Sequence, residues 1–140
     1  MIRRWVLALC TGVLLTGLPA TAQAAPLECS SPVRTTEVLL KYQDSFTYIF
    51  RVSWCVEGKQ ITGIATEVVH EQDGKTCTWT GRMEEWIRRD QLTGSWTAFD
   101  MSEFSCMKSD GSGTQAVNPW AMVTVYPDNT PPLRRDGIER

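Results

Sequence analysis

The segment RMEEWIRRDQLTG, from Arg82 to Gly94, decides between two structures for this chain. As a helix it would place Met83, Trp86 and Ile87 on one face. Two Glu–Arg pairs, each spaced four residues apart, would add to the stability of this helix. As a strand it would place Trp86 on the face opposite Met83, because successive side chains of a strand alternate. The helix buries Trp86 in the core, whereas the strand leaves it among charged side chains.

The residues that follow favour the strand. DQLTG (Asp90–Gly94) is a short turn whose glycine can take the left-handed conformation of a bulged hairpin loop, and SWTAFDM after it has the composition of a returning strand. A hairpin turn requires a strand immediately before it. The two ion pairs of the helix would contribute only ~0.5 kcal/mol each, so the context outweighs them.

Other segments support an all-β chain. Ser45–Glu57 alternates, with aromatic and β-branched residues on one face, and Asn118–Pro127 is a strand bounded by prolines. Gln60–His70 is rich in β-branched residues and is interpreted as a strand with a bulge near Gly63 or Glu67. We expect five or six strands in an antiparallel meander that forms a curled sheet or a small β-barrel.

Two shorter segments complete this prediction. Asp73-Gly74 is expected to close a hairpin between the strands on either side of it. The segment MSEFSCM, at Met101–Met107, could form a short helix.

The cysteines predict two disulfides. A hairpin that turns near Tyr42 brings Cys29 opposite Cys55, and the DQLTG hairpin brings Cys77 opposite Cys106. A Cys55–Cys77 bridge would join opposite ends of one strand, on the order of 20 Å apart. The cysteine spacings lack the paired C-x-x-C of a zinc site and the chain has one histidine, so no metal is expected.

The N-terminus has the pattern of a secretory signal peptide. Two arginines precede an apolar run of about 14 residues and an A-x-A site, which predicts a signal over residues 1–24 that is removed on export. The run is too short for stable membrane insertion. We therefore expect a periplasmic or secreted protein with a single β domain over 25–128 and a flexible C-terminal tail over 129–140.

Charge and composition argue against some classes of function. Loss of Arg3 and Arg4 with the signal would change the net charge from −2 to −4, and this mild acidity argues against a nucleic-acid partner. His70 is interpreted as a solvated turn residue, and Glu84 and Glu85 would face opposite sides of a strand. No catalytic residue and no cofactor are expected.

The tryptophans provide the candidate site. Strand parity places Trp86 on the charged face, opposite Ala98 across the hairpin, with Trp96 as its diagonal neighbour. Exposed aromatic pairs with charged rims are typical of interfaces. We predict a binding site formed by Trp86 and Trp96 with the rim residues Arg82, Glu84 and Arg88. The alternative is that other segments cover both faces of this hairpin.

These features suggest an exported, non-catalytic binding protein. Its expected partner is another envelope or secreted protein, on which it would act as an inhibitor, immunity or accessory factor. The alternative is a β-barrel carrier of a small ligand or glycan.

Overall fold

The computed structural model describes residues 26–140, so the predicted signal peptide lies outside the described residues. This part of the chain is all-β, as predicted, and Met101–Met107 belongs to a strand rather than to a helix. Its strands are β1 (Arg34–Tyr42), β2 (Phe46–Glu57), β3 (Gln60–Gln72), β4 (Cys77–Arg89), β5 (Trp96–Met107), β6 (Thr114–Val125) and β7 (Leu133–Glu139).

The strands form two antiparallel sheets that pack face to face. The first has the order β1-β2-β3 and the second the order β4-β5-β6-β7. Phe46 of β2 stacks on Phe104 of β5 with 3.8 Å between ring centroids, and the hydroxyl of Tyr48 reaches Asp100 across the same interior. The described residues therefore form an open pair of sheets and no closed barrel.

The predicted hairpin at Asp73-Gly74 is wrong, because β3 and β4 belong to different sheets. Oδ1 of Asp73 accepts hydrogen bonds from the backbone N–H groups of Lys75, Thr76 and Cys77, at 3.0, 2.9 and 3.1 Å. These bonds, the one from Cys77 foremost, lower the pKa of Asp73 to about 2. The aspartate thus holds a turn that carries the chain from one sheet to the other, where the inner faces of both strands can be buried.

Both predicted disulfides are confirmed. Cys77 and Cys106 are direct cross-strand neighbours, with 4.1 Å between their Cα atoms. Cys29 and Cys55 are also bonded, but β1 pairs Tyr42 with Phe46, so the turn lies two residues beyond the predicted position. Cys29 therefore reaches Cys55 from the segment that precedes β1.

The predicted flexible tail contains β7, which pairs with β6 over most of its length. The indole of Trp120 packs directly on Gly137, where a Cβ atom would lie 2.8 Å from Nε1. Arg134 also donates to the backbone carbonyl of Glu37 at 3.2 Å. Backbone pairing with β6 and these few side-chain contacts therefore hold the segment, and its composition does not reveal them.

Strand β4 contains two bulges. The register with β5 shifts between Trp79 and Gly81 and again between Arg82 and Glu84, which leaves Thr80 and Met83 as extra residues. Met83, expected on the core side, is 57% exposed as a result. Because each shift reverses the side to which the following residues point, the two together leave the residues from Glu84 onward on the faces that simple alternation predicts. In β3 the predicted bulge near Gly63 is confirmed, since the register shifts beside that residue.

Candidate binding surface

The predicted pairing of Trp86 with Trp96 is wrong. Trp86 lies opposite Phe99, whereas Trp96 lies opposite Arg89 and packs against the core. The prediction placed Trp86 opposite Ala98, one residue from its true partner. Because side chains alternate along a strand, a slip of one residue moves a neighbour to the other face of the sheet.

An aromatic row occupies the outer face of the second sheet. Trp86 of β4, Phe99 of β5 and Trp120 of β6 follow one another across three strands, and we call them the aromatic ladder. Ring centroids are 5.2 Å apart for Trp86 and Phe99 and 6.4 Å apart for Phe99 and Trp120, with interplanar angles of 15° and 29°. Met101 and Met122 lie beside the ladder on the same face. All five side chains are half-buried, so they present an apolar surface to solvent.

Two of the predicted rim residues lie beside Trp86. The guanidinium of Arg88 covers one face of the Trp86 ring at 4.4 Å from its centroid, which is a cation–π contact. The indole Nε1 of Trp86 donates to the carboxylate of Glu84 at 3.1 Å. Phe99 also stacks on this indole, so both Arg88 and Phe99 cover part of the Trp86 ring.

Arg82, the third predicted rim residue, points inward instead. Its Nε forms an ion pair with the fully buried carboxylate of Asp100, and its Nη1 pairs with Glu85 at 2.5 Å. The bulge at Met83 produces this orientation, because it places Arg82 opposite the buried Ser102. Arg82 thus faces the inner side of the sheet at its margin, where its side chain stays 29% exposed.

Asp100 is the centre of a buried polar network. Its Oδ2 accepts hydrogen bonds from the hydroxyl groups of Tyr48 and Ser102, both at 2.8 Å. Burial and the negative charge of Asp100 both raise the pKa of the Tyr48 phenol, which therefore stays a donor. Buried charges of this kind are tolerated when they are paired and hydrogen-bonded. The network joins β2, β4 and β5 directly beneath the aromatic ladder.

His70 is not a solvated turn residue as expected. It lies on β3, where its ring stacks on Trp79 with 4.1 Å between centroids and contacts Phe104 edge to face. Its buried Nδ1 has no hydrogen-bond partner among the described residues, and burial lowers its pKa. His70 therefore packs as an aromatic ring between β3 and the second sheet.

Within residues 26–140 no cluster of three or more histidine, cysteine or acidic side chains could hold a metal ion. The same residues contain no helix that is long and apolar enough to cross a membrane.

The comparisons with known proteins leave the interpretation to the geometry. No protein-family model, no curated protein and no solved structure matches this chain.

The sequence analysis identified Trp86 but missed Phe99 and Trp120. Both lie on segments that were expected to be strands, and both occupy positions that alternate with fully buried neighbours, Ala98 and Ala121. Strand parity could have placed them on the outer face. Only the register shows that they meet Trp86 in one row.

Proposed function

We propose that the chain is an exported, non-catalytic binding protein that recognises another protein through the aromatic ladder. The observation that carries this proposal is the half-buried row of Trp86, Phe99 and Trp120 on the outside of a sheet whose inner face already has a full core. Contiguous aromatic and methionine side chains on a surface are enriched at protein interfaces. The face therefore has the composition of a docking surface.

The geometry of the rings favours a protein partner over a sugar. Glycans stack on the open faces of aromatic rings, but Arg88 and Phe99 both lie against the Trp86 ring, and Trp120 packs on Gly137. The ladder offers ring edges and methionine side chains, which suit the side chains of another protein. The carrier alternative needs an interior cavity, yet Tyr48, Phe50 and Phe104 fill the space between the sheets.

The location of the partner follows from the cysteines and the N-terminus. Both disulfides are compatible with an oxidising compartment, and the signal pattern over residues 1–24 directs the chain there. The partner would then be an envelope or secreted protein. Inhibition, immunity and an accessory role are all consistent with a chain that binds without catalysis.

The proposal is tested with ladder variants and a matched control on the other sheet. The mature protein, purified from the periplasm, is used to capture proteins from an envelope extract, and a partner identified by mass spectrometry is titrated by calorimetry. Trp86→Ala and Trp120→Ala should each weaken binding at least about tenfold, because truncated interface tryptophans often cost 2 kcal/mol or more. Leu39→Ala, a 55% exposed leucine on β1, should leave the affinity unchanged.

Circular dichroism before each titration shows whether the variants are folded. A captured partner that binds Trp86→Ala and Trp120→Ala as tightly as the unmodified protein would refute recognition through the ladder. Equal losses in Leu39→Ala would show that the effect is not specific to this face.

A further inference from the structure

A second feature of the molecule is the line along which the two sheets meet without pairing, between β3 and β4. The strands are held together only near their connecting turn, where the side chain of Gln72 accepts the backbone N–H of Trp79 and the ring of His70 stacks on Trp79. Each strand pairs on one side only, β3 with β2 and β4 with β5. Two strand edges thus face a gap that we call the β3–β4 seam.

Away from the turn the β3–β4 seam widens into a cleft of about 310 Å³, lined by Thr66, Glu85, Trp86 and Ile87. Ile64 and Val68 of β3 are only half-buried against the core on this side, and Ile87 is 39% exposed. The cleft therefore combines two apolar side chains, Trp86 and Ile87, and two polar ones, Thr66 and Glu85, with the free edge of a strand.

Only one half of β4 is regular enough to pair with a further strand. The bulges at Thr80 and Met83 interrupt the first half, and bulges are a common way of protecting a sheet edge. Glu84–Arg89 pairs continuously with Trp96–Met101 and has no interruption. This uninterrupted edge lies beside the cleft, where strand addition has both backbone groups and a pocket to use.

The charges on this stretch indicate what it would accept. Arg88 and Arg89 have no ion-pair partner within residues 26–140, whereas Arg51 and Arg82 are both paired. Arg88 points to the outer face and Ile87 to the inner face. A strand added here would meet Arg88 at one end of its outer side and Glu84 at the other. On its inner side it would meet Ile87 between Glu85 and Arg89.

We propose that an extended segment of the protein partner adds to β4 along Glu84–Arg89 as an antiparallel strand. Its alternate apolar side chains enter the cleft beside Ile87, and an acidic side chain lies opposite Arg88. Antiparallel pairing is the more stable arrangement and is the one used throughout both sheets. The inference rests on the proposed function, because the added strand would extend the surface formed by the aromatic ladder.

The test uses a blocked six-residue peptide whose residues are, in order, valine, glutamate, valine, phenylalanine, valine and lysine. In antiparallel register it places valines in the cleft, glutamate opposite Arg88 and lysine opposite Glu84. A control peptide exchanges the glutamate and the lysine. Two further peptides carry N-methyl groups, one on the valine amides and the other on the remaining amides.

We expect the first peptide to bind the mature protein several-fold more tightly than the charge-exchanged control, and Arg88→Glu to abolish this preference. One N-methylated peptide should bind at least about tenfold more weakly and the other almost normally, because only every second amide of an added strand faces β4. Hydrogen exchange of the complex should show new protection in Glu84–Arg89.

The inference is overturned if neither the first peptide nor the charge-exchanged control binds at millimolar concentration, or if both N-methylated peptides bind as tightly as the first peptide. It is also overturned if the new protection from hydrogen exchange appears elsewhere, for example on β7. Trp120→Ala separates this outcome from failure of the proposed function. Trp120 lies on β6, away from the seam, so the substitution should weaken binding of the full-length partner and leave binding of the peptide unchanged.

Discussion

The outer faces of the two sheets are built on the same strand alternation and differ in how their side chains are satisfied. On the first sheet Arg51 lies between Glu37 and Glu67 and pairs with both, at 2.6 and 2.5 Å. On the second sheet the corresponding central row is aromatic, with Trp86, Phe99 and methionines open to solvent. The first face therefore combines an ion-paired row with a neighbouring aliphatic row of Leu39, Ile49 and Val69, whereas the second face presents aromatic rings and methionines.

This difference separates stability from recognition. Exposed ion pairs contribute little to folding, and a half-buried aromatic row contributes less than a buried one. Neither outer face should therefore dominate the free energy of unfolding, which we expect to depend on the interior shared by both sheets. We therefore expect substitutions in the interior to lower the free energy of unfolding most, those at the margin of the core to lower it less, and those on the outer faces to lower it least.

The largest effect is expected at Asp100, on the inner side of the strand that carries Phe99. Asp100→Ala should lower the free energy of unfolding by about 3 kcal/mol, because it leaves the buried hydroxyls of Tyr48 and Ser102 without their acceptor and removes the buried partner of Arg82. Chemical denaturation of the oxidised protein measures the change.

Ser102→Ala is the matched control for Asp100→Ala. It removes one of the hydrogen bonds to Asp100 and should cost only about 1 kcal/mol. A loss of stability at Asp100 no greater than that at Ser102 would show that the polar network around Asp100 does not stabilise the fold.

An intermediate effect is expected at the margin of the core. Trp79 contacts both His70 and Phe104 on the inner side of β4, so Trp79→Ala should cost about 2–3 kcal/mol. Trp86→Ala, on the outer side of the same strand, should cost about 1 kcal/mol and shift the melting temperature by a few degrees. Scanning calorimetry of both variants compares the inner and outer faces of β4 directly. Equal losses of stability in the two variants would show that Trp86 is a structural residue.

A smaller effect is expected on the ion-paired face. Arg51→Ala should lower the free energy of unfolding by no more than about 1 kcal/mol, and added salt should reduce the difference, because the arginine and both glutamates are partly exposed. Partner binding should not change. If Arg51→Ala abolished binding while Trp86→Ala did not, the assignment of the two faces would be reversed.

The smallest effect is expected from protonation of His70. Burial holds the pKa of its imidazole below the ordinary value of 6.5, so the unfolded chain binds the proton more readily. Stability from this residue is present above pH 6.5 and is lost as the pH falls through the lower pKa of the folded state. Denaturation curves between pH 7 and 5 should show the decline, and His70→Phe should flatten it. A steeper decline in the variant would assign the effect to another group.

Strand alternation allowed much of this fold to be predicted, and the limits of that method explain the errors at the site. Trp86 was placed correctly on the outer face because the two bulges in β4 shift the parity twice and cancel. Arg82 lies between the two shifts and was therefore placed on the wrong face. Trp96 was misplaced because its predicted position depended on a register that was wrong by one residue.

The sequence by itself determined the all-β class and the two disulfides, because alternation and cysteine spacing are local or nearly local properties of the chain. Only the tertiary structure decided that β3 and β4 separate into different sheets, that the C-terminal segment forms β7, and that Trp86 meets Phe99 and Trp120. These features depend on contacts between distant strands. Asp100 needs a counter-ion only once the sheets have closed over it, and the Arg82 side chain then supplies that charge from between two bulges.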